Sequence, residues 1–172
     1  MPVSFELSEQ HEMMRQMVRS WAEDNLEPEL DAMEEGETLP YPLMREMADT
    51  FGLEQMIGGA SATSSGDSES STSGAGLFGG ADPIIGHLVM MELSRISPGF
   101  ALSLGASVGL AGGSIMAKGD KEQKKRWGLP LLKMQKVGAW GLTEPGAGSD
   151  AFGSMRTTAR PEDHLAVAGR RD

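Results

Sequence analysis

Apolar residues recur at helical spacing through the first 135 residues of the chain. The pattern predicts a first helix from Ser8, its N-cap, to about Asn25, with Pro28 ending it. The acidic stretch 27–37 is predicted to be a loop. One face of the helix carries Met14, Met17, Val18, Trp21 and Ala22. Such a stripe is typical of a core face rather than of a methionine-rich groove for a partner.

Two shorter patterns predict the next helices. Pro42 opens a helix with Leu43, Met47 and Phe51 on one face, and Gly52 ends it. Asp82 and Pro83 are a cap and a first-turn proline, and they precede a second helical pattern. The stretch 61–80 is rich in serine and glycine and cannot bury enough apolar area to offset its conformational entropy. It is predicted to be a flexible loop.

A helix of small residues is predicted over 100–118, and Gly119 ends it. The four glycines Gly105, Gly109, Gly112 and Gly113 suggest close packing against another helix or a ligand. The uncharged run 97–117 has few large apolar residues, so a buried helix is favoured over a membrane span. Asp120 then caps a basic helix, with Gln123 at the capping-box position.

The periodicity changes after Gln135. The short apolar segment 137–143 predicts a strand, and 157–159 and 165–167 predict two more, joined by a turn at 161–163. The predicted fold class is therefore α+β. An all-α N-terminal domain over 1–135 is followed by the first strands of an incomplete antiparallel β-domain over 136–172.

Composition and charge narrow the classes of function. Residues 1–60 carry 14 acids and 3 bases, whereas 61–172 carry 11 acids and 12 bases. Nucleic-acid binding needs a basic footprint, so no nucleic-acid partner is expected. The chain has no cysteine, which suits a reducing cytoplasm. The three histidines lie far apart in sequence, and no metal site is expected.

The segment 140–150 carries the clearest chemistry. It reads Trp-Gly-Leu-Thr-Glu-Pro-Gly-Ala-Gly-Ser-Asp. Gly146 and Gly148 allow backbone N–H groups to approach a large ligand, and Thr143 and Ser149 add hydroxyls. The glycines formally fit a dinucleotide fingerprint, but a strand rather than a helix is predicted to follow, which argues against that site.

This segment resembles the signature of the acyl-CoA dehydrogenase flavoproteins. Similar segments occur upstream and downstream, at 91–94, 122–124, 129–132, 138–139, 156–159 and 165–169. The resemblance covers nearly the whole chain except the serine/glycine stretch. It implies an FAD-dependent oxidoreductase of fatty acid metabolism that oxidises an acyl-CoA thioester to the 2,3-enoyl-CoA. The protein would need to orient the flavin and to polarise the thioester carbonyl.

The resemblance also implies roles for individual residues. Trp140, Leu142 and Thr143 are expected to line the flavin ring. Gly148 and Ser149 are expected at the boundary between FAD and acyl-CoA, with Ser149 contacting both. Glu144 and Asp150 form a tempting acid–base pair, but in the family neither is the base, so they are expected to brace the turn.

The family's catalytic glutamate lies in a C-terminal domain, so no catalytic residue is expected among these 172 residues. The chain is therefore predicted to be a truncated dehydrogenase, inactive alone. An alternative is a non-catalytic chain that pairs with another polypeptide in a heteromeric or split dehydrogenase. Family members are expected to form homo-oligomers, and unpaired strand edges here would favour self-association or a partner chain.

Overall fold

A computed structural model describes residues 6–52, 82–162 and 165–169. The chain divides into two compact units, Met1–Ala139 and Trp140–Asp172. The first unit is helical in its described part, and the second holds a short helix and a β-hairpin. The predicted flexible loop at 61–80 lies outside the described residues.

Helix α1 spans Glu9–Trp21. Ser8 caps it as predicted, because the Ser8 hydroxyl accepts a hydrogen bond from the His11 backbone N–H at 3.2 Å. The helical path then continues through a π-helical segment, Ala22–Leu26, a 3₁₀ turn, Glu27–Glu29, and helix α2, Leu30–Glu34.

The predicted helix end at Pro28 is therefore wrong, and so is much of the predicted loop at 27–37. Pro28 lies in the first turn of the 3₁₀ helix, where its missing N–H leaves no hydrogen bond unmade. Leu26 is fully buried immediately before this turn. Tertiary burial holds the chain in helical turns past a residue that would stop an isolated helix.

Helix α3 spans Tyr41–Phe51, and Gly52 ends it with a left-handed φ of 56°. Helix α4 spans Pro83–Ile96, and the Asp82 carboxylate accepts a hydrogen bond from the Ile84 N–H at 2.9 Å. Both predicted caps are confirmed, since each depends on local chemistry.

One continuous helix covers Pro98–Lys118. It comprises α5 at Pro98–Leu104, a π-helical segment at Gly105–Gly112 and α6 at Gly113–Lys118. By length and composition this helix could cross a membrane, so the expectation that it is too weakly apolar was wrong. In this structure it supplies the helical core with Phe100, Ala101, Leu104 and Val108. Core helices of soluble proteins meet the same length and composition test.

The basic segment continues the helical unit. Helix α7, Lys121–Gln123, starts at the predicted Asp120 capping box, followed by a π-helical segment, Lys124–Gly128, and helix α8, Leu129–Leu132. Close packing predicted from the glycine-rich helix is present at Gly112. A Cβ there would lie 3.3 Å from Leu132 Cδ2 and 3.4 Å from Leu131 Cβ.

An ion pair links α1 to α4. The Arg19 guanidinium donates two hydrogen bonds of 2.8 Å to the Glu92 carboxylate, whose side chain is only 6% exposed. Arg95 donates a longer one of 3.4 Å. The hydrogen bonds from Arg19 lower the pKa of Glu92, against the opposing effect of burial.

The predicted strand at 137–143 is wrong, because these residues form no regular secondary structure. A strand needs backbone pairing with a neighbouring strand, and among the described residues this segment makes no backbone–backbone hydrogen bond. The Gly138 N–H donates to the Ser107 hydroxyl at 3.0 Å instead. The second unit contains α9, Ala151–Ser154, and two antiparallel strands, β1, Thr158–Glu162, and β2, Leu165–Gly169. Their register pairs Thr158 with Gly169 and Glu162 with Leu165.

The hairpin falls close to the two downstream strand predictions. The predicted turn at 161–163 begins too early, because Pro161 and Glu162 still belong to β1. The third residue of the predicted turn, Asp163, lies outside the described residues. The fold is thus mostly helical with a short hairpin.

Candidate functional site

A tight backbone turn organises the start of the second unit. The Glu144 N–H donates to the Ala147 carbonyl at 2.9 Å, and the Ala147 N–H donates to the Glu144 carbonyl at 3.1 Å. Pro145 and Gly146 form the tip of this turn. Ala147, the last residue of the turn, is buried, whereas Pro145 and Gly146 at the tip are exposed to solvent.

The Glu144 carboxylate ties this turn to residues further along the chain. Its Oε2 accepts a hydrogen bond from the Arg156 N–H at 2.8 Å, and its Oε1 accepts one from the Thr157 N–H at 2.7 Å. Both distances are typical of hydrogen bonds to an ionised acceptor. Residues 144–157 therefore form a closed segment, here called the motif loop.

Asp150 has a separate role inside the motif loop. Its Oδ1 accepts from the Gly153 N–H at 3.2 Å, and its Oδ2 accepts from the Ser154 hydroxyl at 2.5 Å. Asp150 is therefore the N-cap of α9. Both carboxylates hydrogen-bond to the loop itself, as expected for residues that brace a turn.

The two hydroxyls singled out in the sequence are exposed. Thr143 directly precedes the motif loop, and Ser149 lies within it. Neither side chain has a hydrogen-bond partner among the residues that the structure describes. The same holds for the backbone N–H groups of Leu142 and Gly148. This part of the chain thus presents several unused hydrogen-bonding groups to solvent.

Two predicted contact residues are large, apolar and exposed. Trp140 is 53% exposed and Leu142 is 42% exposed. The second unit also exposes Phe152 fully and Met155 by 42%, and neither residue was predicted from the sequence to contact a ligand. The sequence does carry one sign of this exposed surface, because the aromatic Phe152 stands between the small residues Ala151 and Gly153. Exposed apolar side chains beside unused polar groups favour a ligand or partner surface.

The motif-loop glycines differ in their surroundings. A Cβ at Gly146 or Gly148 would meet no described atom within 4 Å. A Cβ at Gly153 would overlap the Asp150 carboxylate, at 2.7 Å from Oδ2. A side chain at Gly153 would therefore displace the Asp150 carboxylate, whereas one at Gly146 or Gly148 would displace no described atom.

The described part of the chain contains no cluster of side chains that could bind a metal ion. Across 6–52, 82–162 and 165–169, no group of three or more His, Cys, Asp or Glu side chains could hold a metal ion. The arrangement of the second unit instead suits hydrogen bonding and apolar contact with an organic ligand.

Comparison with known proteins gives the family. A family model described as "Acyl-CoA dehydrogenase, N-terminal domain" matches residues 8–64 and 72–135. That is well over half of the chain. The chain belongs to the acyl-CoA dehydrogenase family, whose members are oxidoreductases and flavoproteins.

Individual relatives agree with this assignment. The chain is 33% identical to 3-(aryl)acrylate reductase of Clostridium sporogenes, over 95% of this chain and 40% of that protein. It is 31% identical to a short-chain specific acyl-CoA dehydrogenase of Clostridium acetobutylicum, over 97% of this chain and 40% of that protein. The chain therefore spans about 40% of the length of these curated relatives.

A solved structure is also similar. The crystal structure of acyl-CoA dehydrogenase from Bacillus anthracis, complexed with FAD, superimposes with a TM-score of 0.67 at 29% identity. The match covers 92% of this chain and 24% of that one. FAD is thus a cofactor found in the family.

Proposed function

We propose that this chain supplies one wall of a flavin and acyl-CoA site used for FAD-dependent α,β-dehydrogenation of an acyl-CoA thioester. The observation that carries the proposal is the open surface of the motif loop. A Cβ at Gly146 or Gly148 would meet no described atom, and the nearby hydroxyls of Thr143 and Ser149 have no hydrogen-bond partner in the described part of the chain. Family membership supports FAD as the ligand that covers this surface.

Each residue has a distinct proposed part in binding. Trp140 and Leu142 contact the flavin with apolar surface and backbone groups, and the Thr143 hydroxyl hydrogen-bonds to it. Gly148 leaves room for the cofactor's close approach. Ser149 lies where FAD and acyl-CoA meet, and its hydroxyl contacts both.

The bound flavin would supply the hydride-accepting chemistry, while this chain's residues orient the ligands and exclude water. We propose that no residue of these 172 is the base that removes the α-proton. The nearby carboxylates of Glu144 and Asp150 already accept hydrogen bonds within the motif loop. On its own, the chain should bind FAD weakly and should not turn over.

We also propose the domain organisation that this function requires. Residues 1–135 form an N-terminal helical domain, and 136–172 begin an antiparallel β-domain. Support comes from the β1–β2 hairpin and from the unpaired backbone before the motif loop, which a neighbouring strand could complete.

The hydroxyl contacts can be tested by measuring FAD affinity by equilibrium dialysis. Thr143→Val and Ser149→Ala each remove one hydroxyl, and Thr50→Val, an exposed threonine on α3, is the matched control. We expect a loss of about three- to tenfold for the first two variants and none for the control. Equal affinity for all four proteins would contradict the assigned contacts.

The proposed inactivity has its own assay. The chain is mixed with FAD, butyryl-CoA and an artificial electron acceptor, and acceptor reduction is followed. We expect no reduction above the protein-free rate. Measurable turnover that depends on the protein would contradict the proposal that the base lies outside these residues.

A second candidate function follows from the backbone at 140–143, which makes no backbone–backbone hydrogen bond to the residues that the structure describes. The chain would be a non-catalytic subunit that completes its β-domain with another polypeptide or another copy of itself. Size-exclusion chromatography with mass detection distinguishes the two candidates. A stable monomer would count against pairing, whereas a concentration-dependent dimer would favour it.

A further inference from the structure

We infer that Glu144 is a positioning residue whose ionised carboxylate closes the motif loop and thereby holds the hydroxyls of Thr143 and Ser149 in place. The closure concerns the chain by itself. Only its effect on flavin affinity rests on the proposed function.

The Glu144 carboxylate reaches residues far along the chain. Glu144 accepts hydrogen bonds from backbone N–H groups 12 and 13 residues further along the chain, at 2.8 and 2.7 Å. A backbone N–H can only donate, and the two carboxylate oxygens of Glu144 serve as the two acceptors, one for each N–H.

Among the described residues, the other hydrogen bonds within the motif loop are local. The turn between Glu144 and Ala147 spans four residues, and the Asp150 cap reaches only Gly153 and Ser154. The Glu144 side chain is the tie that joins the beginning of the motif loop to its end. Its loss would leave two small closed turns connected by free chain.

Closure of the motif loop by Glu144 also affects the positions of the Thr143 and Ser149 hydroxyls. Thr143 is the residue before Glu144, and Ser149 lies between the two local turns. Neither hydroxyl is held by a hydrogen bond of its own among the described residues. The positions of these hydroxyls therefore depend on the backbone that Glu144 closes. A flexible loop would bind the flavin more weakly, because ordering the loop on binding costs free energy.

Glutamine is the informative substitution because it keeps the size of the side chain. Its amide presents one acceptor oxygen and one NH₂ donor. Because each N–H points at a different oxygen of Glu144, Glu144→Gln in the same conformation keeps one of the two bonds and turns a donor toward the other N–H. Asp150→Asn is the matched control, because it changes the same charge in the same loop but leaves an oxygen for its single backbone partner.

The experiment measures amide hydrogen exchange and ¹⁵N relaxation on the ¹⁵N-labelled 172-residue chain without ligand. In Glu144→Gln we expect Arg156 and Thr157 to exchange at least about tenfold faster, the factor that corresponds to 1.4 kcal/mol. Thr143 and Ser149 should become more mobile. In Asp150→Asn, Arg156 and Thr157 should keep the wild-type rates. Unchanged methyl resonances of Val18 and Leu26 verify that the helical unit stays folded.

The outcomes separate this inference from the proposed function. Unchanged exchange at Arg156 and Thr157 in Glu144→Gln would overturn the closure, whatever flavin does. Faster exchange without added mobility at Thr143 and Ser149 would overturn the positioning role. If the wild-type chain shows no FAD binding at all, the proposed function fails, while the exchange and relaxation data still decide the role of Glu144.

Discussion

Gly138 and Gly148 lie ten residues apart and differ in what a side chain at each position would meet. A Cβ at Gly138 would lie 2.7 Å from the Ala111 Cβ and 2.9 Å from Leu131 Cδ2, inside the helical unit. A Cβ at Gly148 would enter open space. The packing of the helical unit accounts for the first glycine. No described residue of the second unit requires Gly148, and a molecule that binds at this position would explain it.

Leucines repeat the same contrast. Leu132 is fully buried in the helical core, whereas Leu142 is 42% exposed beside the motif loop. Leu132 therefore contributes to the stability of the helical core. Leu142 contributes little to folding and is available for contact with a ligand or partner.

The largest expected effect on stability comes from truncating a leucine to alanine in the helical unit, and the same truncation in the second unit is its comparison. Leu132→Ala removes a fully buried side chain next to Gly112, and we expect it to lower the free energy of unfolding by about 3 kcal/mol. Leu142→Ala should change it by less than about 0.5 kcal/mol. Urea denaturation followed by helical circular dichroism measures both. A large loss from Leu142→Ala would remove the contrast.

The Glu92 ion pair gives a second, pH-dependent prediction. Glu92→Gln should cost about 2 kcal/mol at pH 7, because it leaves the Arg19 guanidinium without its charged partner. The hydrogen bonds and charge of Arg19 lower the pKa of Glu92 in the folded chain. The unfolded pKa is about 4.3, so this stabilisation is complete above that pH and is lost as pH falls through the folded value.

Urea denaturation at several pH values checks this sign. The wild-type and Glu92→Gln stabilities should differ most near neutrality and converge in acid. Asp82, whose pKa is lowered by its hydrogen bond with His11, destabilises both proteins equally in acid and drops out of the difference. A difference that grows as pH falls would contradict the assigned ion pair.

One alanine substitution at each of Gly138 and Gly148 tests the difference between the two glycines. Gly138→Ala should lower stability by about 1–3 kcal/mol, because Ala111 and Leu131 must move. Gly148→Ala should change stability by less than about 0.5 kcal/mol. Thermal denaturation of both variants against wild type tests the pair. A strongly destabilised Gly148→Ala would mean that the loop itself needs this glycine.

Local chemistry was the part of the fold that could be read from the sequence. Ser8, Asp82 and Asp120 cap helices because their side chains reach backbone N–H groups two or three residues away. Gly52 ends α3 because glycine readily adopts a left-handed conformation. Such contacts need no knowledge of the rest of the chain.

Features that depend on distant residues were not predictable in this way. Helical turns continue past Pro28 because Leu26 is buried in the core, and 137–143 is not a strand because no described strand pairs with it. For the motif loop, the sequence indicated which residues bear hydroxyls and carboxylates. It did not indicate that Glu144 bonds to Arg156 and Thr157.

The central claim is that the open face of the motif loop binds a flavin. The most direct test titrates FAD into ¹⁵N-labelled wild type and Gly148→Ala and maps the resonances that move. The account predicts that FAD shifts the backbone resonances of five residues, namely Trp140, Leu142, Thr143, Gly148 and Ser149. It also predicts that Gly148→Ala binds FAD at least about fivefold more weakly than wild type. Shifts confined to the helical unit, or equal affinity in both proteins, would contradict it.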